Sequence, residues 1–220
     1  MDSEMAALYD CSAPTELLTG MRLSRAAIAK GELVVLPTDT VYGVAADAFT
    51  PKAVQRLLDA KGRTRQSPPP VLIPGLATLD ALATGIPDAV RSLVEAFWPG
   101  GLTIILRATP SLAWDLGETG GTVALRMPDD EIALALLAET GPLAVSSANL
   151  TGQPAAMTAA EAQGMLGESV SVYLDGGARD GGSASTILDA TDPAGFRIVR
   201  HGAVSDDALR EVAGDLLAGT

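Results

Sequence analysis

Apolar residues along this chain recur at two spacings that alternate from one end to the other. Residues 32–36, apolar from Leu33 onward and closed by Pro37, predict a strand. After Thr50-Pro51, a threonine cap with proline at the first helical position, Ala53, Val54, Leu57 and Leu58 share one helical face. Gly62 ends that helix and leaves Lys61 and Arg63 at its C-terminal turn, where the dipole favours cations. Helices are likewise predicted over 21–30, 87–97 and 131–139. Thr158 with Glu161 opens a capping-box helix, and Ser205 caps a last one with Ala208, Leu209, Val212, Ala213 and Leu216 inward. Strands are predicted over 71–73, 102–107, 122–126, 143–146, 170–174, 185–188 and 196–200. Turn chemistry separates them: Pro68-Pro69-Pro70, Trp98-Pro99-Gly100-Gly101, the polar loop 147–152 and the Gly-rich stretch 175–182.

This alternation continues without a long linker, so one α-and-β domain is expected over 15–220, preceded by a flexible N-terminal leader over 1–14. With 47% hydrophobic residues the chain can bury a sizeable, mostly aliphatic core. No apolar run is long enough to cross a bilayer, and the N-terminus lacks the charged start and apolar stretch of a secretory signal. A soluble, cytoplasmic protein with no membrane partner is the expectation. Cys11 stands alone, which excludes an intramolecular disulfide and a thiolate cage; a free thiol near a frayed end is expected.

Several chemistries are excluded by their missing residues. No lysine follows a glycine, so there is no Walker A loop, and no G-x-G-x-x-G or G-x-S-x-G occurs. The one histidine, His201, sits after Arg200 at a strand end and reads as a surface residue. No metal site is expected: Asp129-Asp130-Glu131 follows a proline and reads as a helix start.

Charge then singles out one segment. The formal net charge is −12, which argues against broad nucleic-acid binding. Yet no acidic residue occurs between Ala60 and Leu79, where Lys61, Arg63 and Arg65 crowd together. Such cations repel unless solvent or an anion screens them, so this is the candidate polyphosphate site. Arg126, in an apolar strand, is hard to bury unpaired and is suited to a substrate carboxylate through two parallel hydrogen bonds.

These strings, in order, resemble the YrdC family, the threonylcarbamoyl-AMP synthases of tRNA modification. The resemblance rests on Gly31 to Gly43 with Pro37-Thr38-Asp39-Thr40-Val41-Tyr42-Gly43, on Lys61-Gly62-Arg63, and on Trp98-Pro99-Gly100-Gly101-Leu102-Thr103. It continues through Thr122-Val123-Ala124-Leu125-Arg126-Met127-Pro128, Ser146-Ser147-Ala148-Asn149 and Ser185-Thr186-Ile187 with Arg200. It implies an α+β fold of YrdC/RibB type: three layers, a twisted mixed β-sheet flanked by helices, and a large concave cavity. It also implies a nucleotidyltransferase that makes threonylcarbamoyl-AMP and pyrophosphate from L-threonine, bicarbonate and ATP, with Mg²⁺ accompanying ATP. A tRNA-modifying transferase complex would take the product, and tRNA itself stays open as a partner. A second reading is a maturation factor that binds double-stranded RNA or tRNA without synthase activity.

The resemblance assigns Lys61, Arg63, Ser147 and Asn149 to catalysis and, with Thr122 and Arg200, to ATP. It assigns Thr40, Thr38, Arg126 and Ser185 to threonine. Ser147 and Asn149, two apart on an extended segment, would both face the nucleotide. Tyr42 would pack beneath its loop, and the motif does not demand Arg65. Two departures stand out: Gly101 replaces a frequent proline, and 63–70 reads R-T-R-Q-S-P-P-P, so a nucleotide contact near Ser67 is in question. The chain ends soon after the last helix, so the single-domain form is expected.

Overall fold

Consecutive residues of a strand face opposite sides of its sheet, and this chain uses both sides. In β2 (Val34–Leu36), Val35 packs into one layer while Val34 and Leu36 pack into the other. The same division runs through β3 (Gly43–Asp47), with Val44 and Ala46 on one side and Ala45 on the other. It recurs in β8 (Val172–Asp175) at Tyr173 against Val172 and Leu174. Helices α2 (Pro51–Lys61) and α6 (Ala159–Leu166) cover the first face; α1 (Pro14–Ala29) and α5 (Glu131–Thr140) cover the second. Three layers follow.

The computed structural model describes residues 7–180 and 182–217. Besides the elements above it contains β1 (Ala7–Asp10), β4 (Val71–Leu72), α3 (Leu76–Leu82), α4 (Asp88–Phe97), β5 (Leu102–Arg107) and β6 (Thr122–Arg126). The remaining elements are β7 (Leu143–Ser147), β9 (Thr186–Asp189), β10 (Arg197–Arg200) and α7 (Asp206–Ala213). Among the described residues ten strands form one mixed sheet in the order β1-β8-β2-β3-β7-β4-β6-β5-β9-β10. Among the described residues no helix is long and apolar enough to cross a membrane.

The half built from β5, β6 and β9 decides where the site lies. Leu102, Ile104, Leu106, Val123, Leu125 and Leu188 point to α3, α4 and α7 and form the largest core cluster. Register pairs Ile104 with Leu125 and with Leu188. The alternate residues, Thr103, Ile105, Thr122, Ala124, Arg126 and Ile187, therefore share the opposite face, and all of them line a cavity.

Some expectations change. The leader is corrected from Ala7 onward: Ala7 to Asp10 pair in parallel with Val172 to Asp175, and α1 starts at Pro14, seven residues before the predicted helix. Tyr9 lies so close over Gly20 that a Cβ there would meet it at 2.9 Å. Residues 1–6 of the expected leader lie outside the described residues. Cys11 is thus at no frayed end; its backbone N–H donates to the Asp175 carbonyl at 2.8 Å, and burial raises its thiol pKa to about 11. Thr50 does not cap α2 with its side chain; its hydroxyl donates to Asp47 at 2.6 Å. By contrast, Thr158 and Glu161 form the full capping box, and Asp130 caps α5 by accepting from the Ala133 N–H at 2.9 Å.

Candidate active site

Helix α2 carries its apolar stripe one step further than hydrophobicity alone suggests. Ala53, Val54, Leu57 and Leu58 are buried, and Lys61, next on that face, is only 1% exposed. Its stem completes the stripe, and its ammonium donates to the Ser147 carbonyl, to the Asn149 carbonyl at 2.7 Å and to Asn149 Oδ1 at 3.3 Å. An ammonium has three donors, so all are engaged. Burial, then the Arg63 charge, pulls the Lys61 pKa down to about 7. Gly62, at φ 64°, turns the chain out of the helix in the left-handed region, and Arg63 emerges pointing at the sheet. Arg63 Nη1 donates to Ser146 Oγ at 3.1 Å.

Arg63, Arg126 and Arg200 line one cavity of about 260 Å³ together with Thr38, Thr40, Thr122, Ser147 and Ser185. That volume is just below the range of roughly 300–1,000 Å³ typical of ligand pockets. No Asp or Glu is among its lining residues. Burial lowers the Arg63 pKa from its ordinary value. Burial of the guanidinium, then the Arg126 and Arg63 charges, does the same at Arg200. Three cations facing one space, in a chain of net charge −12, are the electrostatic signature of an anion site.

Beside Thr38 and Thr40, Arg126 Nε donates to the Gly100 carbonyl at 2.9 Å, Nη1 to Thr40 Oγ1 at 3.0 Å and Nη2 to Asp39 Oδ1 at 2.6 Å. Burial pulls the Arg126 pKa down, and the Asp39 charge pushes it back up. On the far wall Ser185 Oγ lies 2.8 Å from Thr103 Oγ1 and accepts from Arg200 Nη2 at 3.0 Å. Arg200 also clasps the Ser185 carbonyl through Nε and Nη2 at 3.0 and 2.6 Å. Thr122 sits at the start of β6, its hydroxyl donating to the Thr119 carbonyl at 2.8 Å.

The structure brings all ten sequence-expected residues together, eight in the cavity lining and two behind it. Lys61 and Asn149 do not line the cavity. Asn149 therefore does not face the same space as Ser147, because the strand ends at Ser147 and the alternation ends with it. Its Nδ2 instead donates to the carbonyls of Leu150 and Gln153 at 3.0 and 2.7 Å, leaving Oδ1 for Lys61. Arg65 turns outward and pairs with Asp115 at 2.6 Å. Ser67 does not line the cavity, but Pro68, Pro69 and Pro70 do. Tyr42 is buried and donates to the Gly177 carbonyl at 2.7 Å; its edge also lines the cavity. His201 is exposed, its Nδ1 2.8 Å from Asp206.

The sequence reading missed Ser146, Thr103 and Asp39. Thr103 carried a signal, as the one hydroxyl inside Leu102 to Leu106, while the partners of Asp39 and Ser146 are distant in sequence.

The family model of Sua5, YciO and YrdC, described as telomere recombination, matches residues 26–202. The chain belongs to the Sua5/YciO/YrdC family. Over 210 residues it is 50% identical to a protein of Mycobacterium leprae named putative threonylcarbamoyl-AMP synthase, covering 96% of this chain and 95% of that one. The threonylcarbamoyl-AMP synthase of Bacillus subtilis is 37% identical over 194 residues, 87% of this chain and 56% of that one. The crystal structure of P. abyssi Sua5 complexed with L-threonine superimposes with a TM-score of 0.85 at 33% identity, covering 90% of this chain and 58% of that one. The α+β, mixed-sheet architecture is thus that of Sua5-type domains. Gly101 now has a reason in this family member: a Cβ there would lie 2.7 Å from that of Ala203, so the turn and the segment after Arg200 lie in contact.

Proposed function

We propose that this protein is a threonylcarbamoyl-AMP synthase, a nucleotidyltransferase that converts L-threonine, bicarbonate and ATP to L-threonylcarbamoyladenylate and pyrophosphate. The observation that carries the reading is the single cavity that collects Arg63, Arg126 and Arg200 with a ring of hydroxyls and no carboxylate. The names of its relatives support it. The threonine amine takes up the bicarbonate carbon with loss of water to form a carbamate; a carbamate oxygen then attacks the α-phosphorus of ATP, and diphosphate leaves. Negative charge shifts along the phosphates in that step, so preorganised cations at the phosphates lower the barrier most. Arg63 and Arg200 supply fixed guanidinium donors to the nucleotide, with Thr122 and Ser147 beside them. Lys61 holds the Ser147–Asn149 loop and places its charge directly behind it. Arg126 and Thr40 hold the amino acid, with Thr38 and Ser185 supporting. Mg²⁺ arrives with ATP as part of the substrate. The lining supplies hydroxyls and no carboxylate, so phosphates and water hold the ion. The product passes to a tRNA-modifying transferase complex, which places the activity in the cytoplasm.

The test is incubation with threonine, ATP and labelled bicarbonate. Pyrophosphate should appear only when all three are present, and mass spectrometry should find the labelled adenylate. Absence of threonine-dependent pyrophosphate would remove the reading. RNA binding that weakens steeply with salt and ignores ATP and threonine would favour the maturation-factor reading instead.

A further inference from the structure

Asp39 does not line the cavity, yet its carboxylate is bonded to Arg126, which does. Its Oδ1 accepts from Arg126 Nη2 at 2.6 Å and from the Asp129 N–H at 3.0 Å. Both side chains of the pair are largely enclosed, Arg126 at 7% and Asp39 at 17% exposure. The second bond ties the carboxylate to the chain just before α5, so the ion pair is anchored at both ends.

The proton positions in this cluster are determined by counting donors. Thr38 Oγ1 donates to the Val41 carbonyl at 2.6 Å, which uses its one proton. Thr38 and Thr40 hydroxyls lie 3.1 Å apart, so Thr40 must be the donor of that bond. Thr40 Oγ1 also accepts from Arg126 Nη1 at 3.0 Å. A hydroxyl has one proton and two acceptor sites, so Thr40 keeps one lone pair and no proton for a ligand. Arg126 has five N–H groups. Three are engaged, and two remain.

The pouch therefore offers an acceptor at Thr40 and two donors at Arg126. An α-amino acid matches that polarity, with its amine donating to Thr40 and its carboxylate accepting from Arg126. The opposite arrangement, a hydroxyl donating from Thr40, is blocked because the Thr40 proton is taken by Thr38, whose own proton lies on the Val41 carbonyl.

We propose that Asp39 is the positioning residue of this pouch: by fixing the Arg126 guanidinium it aims the two free N–H groups and sets affinity for the amino-acid substrate, not for the nucleotide. The inference rests on the synthase reading above. A carboxylate held equally in ground and transition states raises KM with little change in kcat when lost.

The experiment compares wild type, Asp39→Ala and the near-isosteric Asp39→Asn. Pyrophosphate release is followed against L-threonine at saturating ATP and bicarbonate, and ATP affinity is measured by calorimetry. Loss of a charge-assisted bond predicts a rise of about tenfold or more in KM for threonine in Asp39→Ala. A smaller rise is expected in Asp39→Asn, which keeps an acceptor oxygen. kcat should stay within about threefold and ATP affinity within about twofold. If Asp39→Ala fails to fold, Asp39→Asn decides through the same split. An unchanged KM for threonine, or a parallel loss for ATP and threonine, overturns the inference while wild-type activity preserves the synthase reading. Wild-type protein that neither binds threonine nor releases pyrophosphate overturns both.

Discussion

At Lys61 the side chain lies at the boundary between core and site. Its stem is core, yet its ammonium is bound by three oxygens, the Ser147 carbonyl and the carbonyl and Oδ1 of Asn149. Replacing it by alanine removes a charge and a brace together, and should cost roughly a hundredfold or more in kcat. Its pKa also makes a pH prediction. The ammonium is the charged form, so with a pKa near 7 charge is lost as pH rises through that value. A neutral amine has two N–H groups for three acceptors, so the loop loosens as the charge disappears. The kcat/KM for ATP, which reports the free enzyme, should fall above about pH 7. Bound triphosphate favours the ammonium, so the fall in kcat should come at higher pH. A profile flat between pH 6 and 9, or the same limb persisting in Lys61→Ala, would contradict this. Lys61's burial was partly legible, since it lies on the stripe of Ala53, Val54, Leu57 and Leu58; its partners were not.

Elements with strong local spacing were readable, and weak ones were not. Helix α6 was announced by its capping box and β5 by six residues of uninterrupted strand character. Strand β3 was missed because Gly43-Val44-Ala45-Ala46-Asp47 has small residues on both faces, buried only because β2 and β7 flank it. Helix α3 was missed because Gly75 provides no side-chain cap and only Leu79 and Leu82 are buried on its face. The turn before β5 carries a prediction. Gly101 abuts Ala203, and that segment is bound to the far wall by Ala203 N–H to the Ala184 carbonyl at 2.9 Å and Val204 N–H to Thr186 Oγ1 at 3.0 Å. Gly101→Ala should push this segment outward and, through Arg200, weaken ATP by about tenfold while threonine affinity changes less. Equal effects on both substrates, measured by calorimetry, would show that the contact serves stability alone.

Across the whole molecule, a chain of net charge −12 gathers three arginines into one recess. Such a field attracts a compact polyanion and repels an extended one, whose outer phosphates would meet acidic surface. The expected outcome is ATP binding that persists at 150 mM salt alongside RNA binding too weak to detect there; RNA retention with a steep salt slope in a filter assay would reverse it. The stripes, the caps and the cluster of cations were determined by the sequence itself, because spacing along a helix or strand is a local property. The sequence also placed Thr103, Ile105, Ala124 and Arg126 on alternating positions, but not opposite a shared space. That depended on the order β4-β6-β5-β9, which joins segments up to about a hundred residues apart. Only this packing paired Asp39 with Arg126, turned Asn149 inward to Lys61 and set Arg200 against Ser185, because a hydrogen bond needs both partners within about 3 Å.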